Sequence, residues 1–472
     1  MAIETEIKLQ TTLEGLQALR QSTVVAKLQK DTAWQTKQLN NQYFDTPDCR
    51  LAHSAVALRI RQDGQQLIQT LKTRGQSVAG LAARNEWEWP LTSEQLDLTR
   101  LDDSCWPIEL NDLDKTQLQP IFRTDFSREL LELAFDYEGQ PVVIELALDQ
   151  GQVTTAQGSE AICEVELELR QGPAVALLIV AQQLAAEVVL LPCDVSKAER
   201  GYRLLGAEHY ALRLAKLQLS KEQNLDQTIA ACSGYLLGNS QRLAEHYRFT
   251  GQWKLFEQWL QQVAQLKAFL SSLGLAAPRK TTAHLRQQLE GVIAHWQSQI
   301  QAGSQQQSVR EQVAASFNEW LQQPAWGQFV LAMALWIEQQ AWQVGRNAKG
   351  QRQGQALLVN WLSHFLQDEL QALSVTDYLR EPQRINEQQP RLARILVWLE
   401  LAREQLALAE IDQLLGSLRA IYSLSQTTEQ WPSAEAAVAS DELEQVVMTP
   451  AAQLIERLIE LRRLSAWKQL VK

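Results

Sequence analysis

The first 170 residues contain short segments in which apolar and charged side chains alternate, a period of two that is typical of β-strands. In the first such segment, Glu4, Glu6 and Lys8 share one strand face and apolar residues take the other. Turn signals such as Asp63-Gly64 and Gln150-Gly151 separate the segments. The pattern predicts eight strands: Ile3–Leu9, Ala55–Arg61, Leu67–Thr73, Arg84–Trp89, Phe126–Phe135, Val142–Leu148, Gly151–Thr155 and Ile162–Leu169.

Two helices are predicted beside these strands, Leu13 to Leu28 and Pro173 to Val188. From about Gln218 onward Gly and Pro become rare, and apolar residues recur with a period near 3.6. This half is therefore predicted to be an all-α helical bundle, with residues 203–218 as the connection. One helical stripe is formed by Leu285, Leu289, Val292, Trp296 and Ile300.

Composition and charge narrow the class of protein. A chain of 472 residues exceeds one ordinary core, so at least two domains are expected. The net charge of −11 disfavours a partner such as nucleic acid or an anionic membrane. The five cysteines are scattered without Cys-x-x-Cys spacing, and the acidic N-terminus does not read as a signal segment. We therefore expect a cytoplasmic protein that does not span a membrane.

Charged residues recur at alternate positions on nearly every predicted strand. On any one strand this pattern usually marks a solvated sheet face. Here the intervening residues are apolar on strand after strand, which favours a closed barrel of about eight strands with a charged interior, covered outside by helices. The acidic set is Glu4, Glu6, Glu86, Glu88, Glu145, Asp149, Glu164, Glu166 and Glu168. The basic set is Lys8, Arg59, Arg61, Lys72, Arg84, Arg128, Lys197 and Arg200.

A charged interior of this kind fits a site for a metal ion and a polyphosphate. Arg and Lys can clamp phosphate oxygens, and clustered carboxylates need a cation, for which oxygen ligands favour Mg²⁺ or Mn²⁺. The sequence lacks the glycine-rich phosphate loops, the Gly-x-Ser-x-Gly elbow and the His-Glu-x-x-His zinc motif.

The ordered motifs resemble the CYTH domain of the triphosphate tunnel metalloenzymes. The resemblance covers residues 1–202 and begins with Glu4-x-Glu6-x-Lys8. Residues 219–472 resemble a CHAD domain, an all-α module, and the pairing is most similar to bacterial inorganic triphosphatases. The fold class is then α+β: an eight-stranded antiparallel tunnel barrel with flanking helices, then a helical bundle. Further matching motifs are the turn Asn41–Asp48, Leu58–Arg61, Lys72, Glu86, Arg128, Glu145 with Asp149, Glu164-x-Glu166 and Ser196-Lys197.

The resemblance implies roles for the charged residues. Glu4, Glu6, Glu164 and Glu166 would hold the essential Mg²⁺ or Mn²⁺, while Glu86, Glu145 and Asp149 complete the acidic cluster. The basic set would grip the phosphates, with Arg84 and Arg200 as secondary members. Glu4, Glu6, Lys8 and Lys72 would act in the in-line attack of water on a terminal phosphorus. Arg123, of opposite parity, would replace Arg128 if that strand began earlier.

Three functions stay open at this point. The first is metal-dependent hydrolysis of inorganic triphosphate; the second is adenylate cyclase or thiamine triphosphatase activity in the same tunnel. The third is a non-catalytic polyphosphate-binding protein. In the helical half, arginines such as Arg279, Arg286 and Arg391 are spread out, so we do not expect it to bind polyphosphate. Covering the barrel, or packing against a second copy in a homodimer, fits this half equally well.

Overall fold

The computed structural model describes residues 2–30, 32–73, 75–102, 104–206, 210–406, 408–427 and 449–471. Strands occupy the N-terminal part of the chain, where alternating β-branched, aromatic and charged residues suit a pleated surface. They are β1 (Ala2–Gln10), β2 (Gln35–Asp45), β3 (Ala57–Asp63), β4 (Gln66–Lys72), β5 (Gln76–Val78), β6 (Leu81–Leu91), β7 (Gln119–Tyr137), β8 (Gln140–Thr154), β9 (Ser159–Gln171) and β10 (Leu191–Pro192).

The described strands form one antiparallel sheet in the order β10-β1-β9-β8-β7-β2-β3-β4-β6-β5. A further pairing joins β1 to β6, with Glu4 opposite Arg84, and closes eight of the strands into a barrel. The predicted fold, an eight-stranded antiparallel barrel followed by a helical region, is confirmed.

Helices are sparse around the barrel and dominate after residue 224. They are α1 (Leu13–Arg20), α2 (Thr23–Leu28), α3 (Arg50–His53), α4 (Val175–Glu187), α5 (Lys197–Leu205), α6 (Leu225–Thr250), α7 (Trp253–Ser272), α8 (Arg279–Gln305), α9 (Gln307–Leu321), α10 (Pro324–Glu338), α11 (Ala348–Gln355), α12 (Leu358–Gln371), α13 (Val375–Tyr378), α14 (Gln389–Leu401), α15 (Ile411–Ser425), α16 (Pro450–Arg463) and α17 (Ser465–Val471). Short 3-10 helices lie at Leu98–Arg100, Ile108–Leu110, Lys115–Gln117, Gly274–Ala276, Ala341–Gln343, Pro382–Gln388 and Arg403–Gln405. No helix among the described residues is long and apolar enough to cross a membrane.

The chain folds into two compact units that interleave along the sequence. The first comprises residues 1–215, 237–260 and 295–339, and the second comprises 216–236, 261–294 and 340–472. The barrel thus shares its unit with α9, α10 and most of the second half of α6. The domain boundaries 1–202, 203–218 and 219–472 stay a prediction.

Three details of the predicted elements are wrong. Strand β2 was not predicted, because Gln and Asn occupy both of its faces and hide the alternation. One strand, β8, replaces the two predicted on either side of Gly151, whose missing Cβ makes room for Asp125 O of the neighbouring strand, 2.2 Å from that position. The helix predicted from Leu13 to Leu28 is divided into two helices, α1 and α2. The Ser22 side chain accepts a hydrogen bond from Val25 N and so caps the start of α2.

The apolar outer face of the barrel is covered within the first unit. On one side, α4 contacts β1 and β9, and α10 packs on α4. On another side, the segment around Trp106 packs against buried residues of β3 and β4, including Leu58, Ile60 and Leu71. These layers supply the apolar environment that the outward side chains require.

Buried aromatic rings form the core of the helices in the first unit. Trp259, Trp296, Phe317 and Trp326 contact one another, with ring centroids 4.9 to 6.4 Å apart. Such edge-to-face contacts bury large areas and fix the helix packing. The second unit has its own core, in which Trp361 stacks near Trp398, 4.9 Å between centroids.

Candidate active site

The strand register places the predicted charged residues on one face of the sheet. Directly opposed residues in antiparallel strands share a face. Such pairs join Lys8 to Glu166 and Asp149 to both Glu164 and Arg128. Further pairs are Glu4 with Arg84, Lys72 with Glu86, Glu6 with Glu168, Glu145 with Glu168, Arg61 with Asn41, and Arg59 with Tyr43.

This face is the concave interior of the barrel, which we call the tunnel. Charged side chains meet across it from strands that are not neighbours: Arg59 reaches Glu86 at 3.8 Å past β4, and Lys72 reaches Glu4 at 2.5 Å past β6. Arg123, by contrast, lies on the outer face with 54% of its side chain exposed, paired with Asp125. Arg128 is therefore the arginine that β7 contributes to the tunnel.

One group of tunnel residues gathers three carboxylates, those of Asp149, Glu164 and Glu166, and we call it the carboxylate trio. Each offers an oxygen within 4.8 Å of the other two. Lys197 Nζ lies 2.6 Å from Asp149 Oδ2 and 3.0 Å from Glu166 Oε1, and it also contacts Glu164. Arg128 donates to Asp149 and contacts Glu166. Lys197 and Arg128 thus offset two of the three negative charges of the trio in this structure.

The electrostatics of the trio follow from burial and these partners. Burial alone would raise the pKa of Glu166, but Lys197, Arg128 and Lys8 hold it well below its usual value. The pKa of Lys197 is raised, since the carboxylates of Asp149, Glu164 and Glu166 outweigh the effect of burial. Glu166 and Lys197 therefore both stay charged in this pocket.

A second group joins Lys72, Glu4 and Glu86. Lys72 Nζ lies 3.3 Å from Glu86 Oε1 as well as 2.5 Å from Glu4 Oε2. Lys8 lies between this group and the trio, 3.6 Å from Glu6 and 3.8 Å from Glu166. Burial alone would lower the pKa of Lys8. The carboxylates of Glu6 and Glu166 raise it by a larger amount, so the pKa lies above its usual value.

Two tunnel arginines lack a carboxylate within ion-pair distance among the described residues: Arg61 and Arg84. Arg61 donates from Nε to Asn41 Oδ1 at 2.9 Å. Its burial, together with the neighbouring guanidinium groups of Arg59 and Arg128, lowers its pKa to about 10. A buried cation repelled by its neighbours is costly unless an anion joins it.

The helix α5 supplies the last two predicted cations and closes one end of the tunnel. Ser196 caps it by accepting from Glu199 N, and Lys197 follows at its first turn. Arg200 Nη2 donates to Glu164 Oε2 at 2.7 Å. Apolar side chains of α5 pack against inward-facing residues of the strands: Leu39, Tyr43, Phe122, Phe126, Val153 and Ile162 surround Ala198 and Tyr202.

The predicted metal ligands are therefore not one cluster. The trio is one group, and Glu4 with Glu86 is a second, bridged by Lys72. Glu145 lies apart from the trio and pairs with Arg170 at 3.0 Å, beside Glu168. Burial, with Glu4 and Glu145 nearby, raises the pKa of Glu168 to about 7 although Arg170 opposes it.

Sequence reasoning missed some residues of the tunnel. The turn predicted at Asn41–Asp48 is wrong over its first part, because Asn41 and Tyr43 lie on β2, and Tyr43 OH lies 3.5 Å from Arg59 Nη1. Their signal was indirect: Leu39, Asn41 and Tyr43 have the same parity, but the polar residues between them mask the alternation. Arg170 follows the Glu164-Glu166-Glu168 run with the same parity, and extending that run would have found it.

The carboxylate trio fits a hard divalent cation. All of its donor atoms are oxygens, they converge within 4.8 Å, and the barrel strands fix their backbones. Oxygen-only donor sets suit Mg²⁺ and Mn²⁺ and exclude the thiolate-rich sites of softer metals.

The comparison with family models agrees with this geometry. The model of the CYTH domain matches residues 2–202, the span that holds the barrel and most of α5. Residues 2–202 are a CYTH domain. The charged interior described above is the interior of that domain, and the CHAD-like character of residues 219–472 stays a prediction.

Known relatives cover part of the chain. An inorganic triphosphatase of Haemophilus influenzae is 32% identical over 237 residues, which is 49% of this chain and 65% of that protein. The chain thus spans just under two thirds of that relative's length. Among solved structures, HpAC1 from Hippeastrum, described with a dominant triphosphatase activity, is 20% identical over 42% of this chain and 95% of that one, with a TM-score of 0.30. The inorganic triphosphatase NE1496 is 18% identical over 37% of this chain and 80% of that one, with a TM-score of 0.15.

Proposed function

We propose that the protein hydrolyses inorganic triphosphate to pyrophosphate and phosphate in the tunnel, with Mg²⁺ or Mn²⁺ as cofactor. The observation that carries the proposal is Arg61, a partly buried guanidinium that faces the tunnel without a carboxylate partner in the described part of the chain. A linear polyanion is the ligand that would pair it, because Arg59 and Arg128 also adjoin the same space.

The remaining charges divide between holding the substrate and holding the metal. Lys8, Arg59, Arg61, Lys72, Arg84, Arg128, Lys197 and Arg200 would bind phosphate oxygens. The trio of Asp149, Glu164 and Glu166 would hold the cation, with Glu6 next to it across Lys8 and with Glu4, Glu86 and Glu145 further along the tunnel. A divalent cation there would neutralise phosphate charge and act as a Lewis acid.

The residues of the chain would then do three things. The arginines and lysines fix the chain of phosphates in line and stabilise the charge that develops on the transferred phosphoryl group. Lys8 and Lys72 would face the scissile end beside Glu4 and Glu6, whose carboxylates can orient a water and accept its proton. Closure of one end by α5 would exclude bulk water from the phosphates.

The test is turnover of inorganic triphosphate, thiamine triphosphate and ATP, with Mg²⁺, Mn²⁺ or a chelator. We expect metal-dependent release of phosphate, fastest from inorganic triphosphate. In Glu6→Gln we expect turnover to fall by about 100-fold or more, as for removal of one group of a catalytic site. Glu129→Gln is the matched control, because Glu129 lies outside the tunnel and pairs with Arg20.

Other outcomes would identify the alternatives. Release of pyrophosphate and a cyclic nucleotide from ATP would indicate an adenylate cyclase, and preference for thiamine triphosphate a thiamine triphosphatase. No turnover on any substrate, with triphosphate affinity kept or increased in Glu6→Gln, would indicate a binding protein, because removing a carboxylate only reduces repulsion there.

A further inference from the structure

The segment Pro192–Glu199 leads from β10 into α5 and so determines where Lys197 and Arg200 enter the tunnel. On one side the barrel holds it. Cys193 N donates to Lys8 O at 2.9 Å, and Asp194 Oδ1 accepts from Gly80 N at 2.9 Å. These contacts anchor the start of the segment to β1 and to the β5–β6 turn.

On the other side, one face of α6 holds the same segment. Gln241 donates to Pro192 O, Glu245 Oε1 accepts from Asp194 N at 2.6 Å, and Arg242 donates to Glu199 Oε1. All of these residues belong to the first compact unit. Side chains three and four residues apart are neighbours on a helix surface, so Glu245 lies beside both Gln241 and Arg242. A little more than one turn of α6 thus contacts the segment at three points.

Arg242 is the centre of this contact. Its Nη1 donates to Glu245 Oε2 at 3.1 Å while its Nη2 binds Glu199, whose Oε1 also accepts from Tyr210 OH at 2.7 Å. The side chain is 15% exposed, and the carboxylates of Glu199 and Glu245 are 23% and 9% exposed. One guanidinium therefore bridges two largely buried carboxyl groups, and its removal would leave both without this partner.

We propose that Arg242 is a positioning residue for the tunnel: by binding Glu199 it holds α5 so that Lys197 and Arg200 reach the carboxylate trio. This inference rests on the proposed function. Glu199 lies two residues after Lys197 and one before Arg200 on the same helix. Arg242 itself donates to Glu199 and Glu245, outside the tunnel, and so acts through α5.

The expected consequence is a loss of affinity more than of rate. If α5 loosens, its two cations are no longer held in place, and binding a polyanion must include the cost of ordering them again. Lys8 and Lys72, which face the scissile end under the proposed function, lie on strands and keep their places. A raised KM with kcat nearly unchanged is the signature of such a loss.

The experiment compares full-length wild type with Arg242→Gln, Arg242→Lys and the control Asn239→Ala. Asn239 lies on the same helix, is more deeply buried than Arg242, and exchanges hydrogen bonds with the backbone of Ala215 instead of the α5 segment. For Arg242→Gln we expect a rise in KM for inorganic triphosphate of about 5- to 30-fold with kcat changed by less than about 3-fold. Hydrogen exchange should quicken at residues 196–205, and Asn239→Ala should show neither change.

Arg242→Lys keeps the charge but cannot bridge both carboxylates as a fork, so its KM should lie between those of wild type and Arg242→Gln. If Arg242→Gln does not fold, Arg242→Lys alone provides the test. A KM and an exchange rate equal to wild type in the Lys and Gln variants would overturn the inference, as would the same changes in Asn239→Ala. If wild type hydrolyses no triphosphate, the proposed function fails, and exchange at residues 196–205 still decides whether Arg242 holds α5.

Discussion

Arg128 binds Asp149 through both arms of its guanidinium, from Nε to Oδ1 at 2.7 Å and from Nη2 to Oδ2 at 2.6 Å. The two residues are directly opposed on β7 and β8. A forked pair of this kind is geometrically specific and strong. Because the Asp149 side chain is fully buried, the arginine is held at a fixed point of the tunnel wall, where it can also reach an anionic ligand.

Replacing Arg128 should therefore weaken triphosphate binding far more than replacing its neighbour on the outer face. For Arg128→Gln we expect kcat/KM for inorganic triphosphate to fall about 10- to 100-fold, the loss of one or two charge-assisted hydrogen bonds. Arg123→Gln is the matched control, five residues earlier on the same strand and exposed. Steady-state kinetics of the two variants test this prediction. Equal decreases of kcat/KM in both would contradict a specific role of Arg128 in the tunnel.

The carboxylate trio should bind Mn²⁺ and be stabilised by it. Titration calorimetry of wild type should detect binding, and an excess of Mn²⁺ should raise the melting temperature, since a ligand that binds only the folded state stabilises it. In Asp149→Asn we expect the affinity to fall by about 10-fold or more. Asp125→Asn, which alters an outer-face carboxylate paired with Arg123, should bind Mn²⁺ like wild type. Unchanged affinity in Asp149→Asn would place the cation elsewhere.

The parity of charges on the strands was enough to predict the barrel and the inward set. Once Glu4, Glu6 and Lys8 are assigned to the interior, the period of two assigns the members that lie on the predicted strands, but not Lys197 and Arg200, which lie on α5. The grouping was not predictable, because it depends on shear and on contacts across the barrel. Glu145 and Asp149 share a face of β8, yet one pairs with Arg170 and the other with Arg128 and Lys197.

The contact of α6 with the segment Pro192–Glu199 also could not be predicted from the sequence. The apolar face of a helix can be predicted from the period of its hydrophobic residues. Arg242 and Glu245, three residues apart, have the spacing of an ordinary solvent-exposed ion pair. Only the fold shows that Glu199 and Asp194, more than 40 residues earlier, lie against them. Long-range partners of polar residues leave no periodic signal in a single sequence.

Arg61 should show a trade-off between stability and binding. Its guanidinium is partly buried beside Arg59 and Arg128, and among the described residues its hydrogen-bond partner is the neutral Asn41 amide. Arg61→Gln removes the repulsion, so we expect the free energy of unfolding without ligand to rise by about 1 kcal/mol or more. Affinity for triphosphate should fall about 10-fold with the loss of one charge-assisted contact.

Arg59→Gln provides the contrast for that prediction, because Arg59 lies 3.8 Å from the Glu86 carboxylate and its removal takes away a partner. It should weaken binding without stabilising the protein. Urea unfolding without ligand, and calorimetric titration with triphosphate, measure the two effects separately. A loss of stability in Arg61→Gln would show that the arginine is already well compensated in the ligand-free protein.

Glu245 should make the stability of the first unit depend on pH. Burial, with Asp194 nearby, raises the pKa of Glu245 from 4.5 to about 7 although Arg242 opposes it. Between these values the unfolded chain has released the proton and the folded protein has not, so stability falls as the pH rises and the loss is complete above pH 7. The full cost is on the order of 3 kcal/mol.

Glu245→Gln removes the titration and keeps an oxygen for Asp194 N. We therefore expect the variant to gain stability relative to wild type as the pH increases from 5 to 8, measured as the difference between their urea midpoints at each pH. The two proteins should be closest in stability near pH 5. A difference that stays constant across this range would mean that Glu245 titrates at its ordinary value.

Replacing Gly201 by alanine should destabilise the protein, although alanine usually stabilises a helix relative to glycine. An alanine in a helix interior is favoured over glycine by about 1 kcal/mol. On α5, however, a Cβ at residue 201 would lie 2.3 Å from Phe122 Cε2, where the helix packs into the end of the tunnel. The ring or the helix must move, and overpacking of this kind costs about 1 to 3 kcal/mol. Gly201→Ala should thus be destabilising, and it should weaken triphosphate binding because α5 carries Lys197 and Arg200.

The matched control is Gly238→Ala in α6, where a Cβ would meet no atom within 4 Å. That variant should gain up to about 1 kcal/mol from helix propensity. The opposite signs of the two substitutions, measured by thermal unfolding, would show that α5 is fitted closely against Phe122. If both variants were stabilised, α5 would have room to shift, and its two cations could not be fixed by this packing.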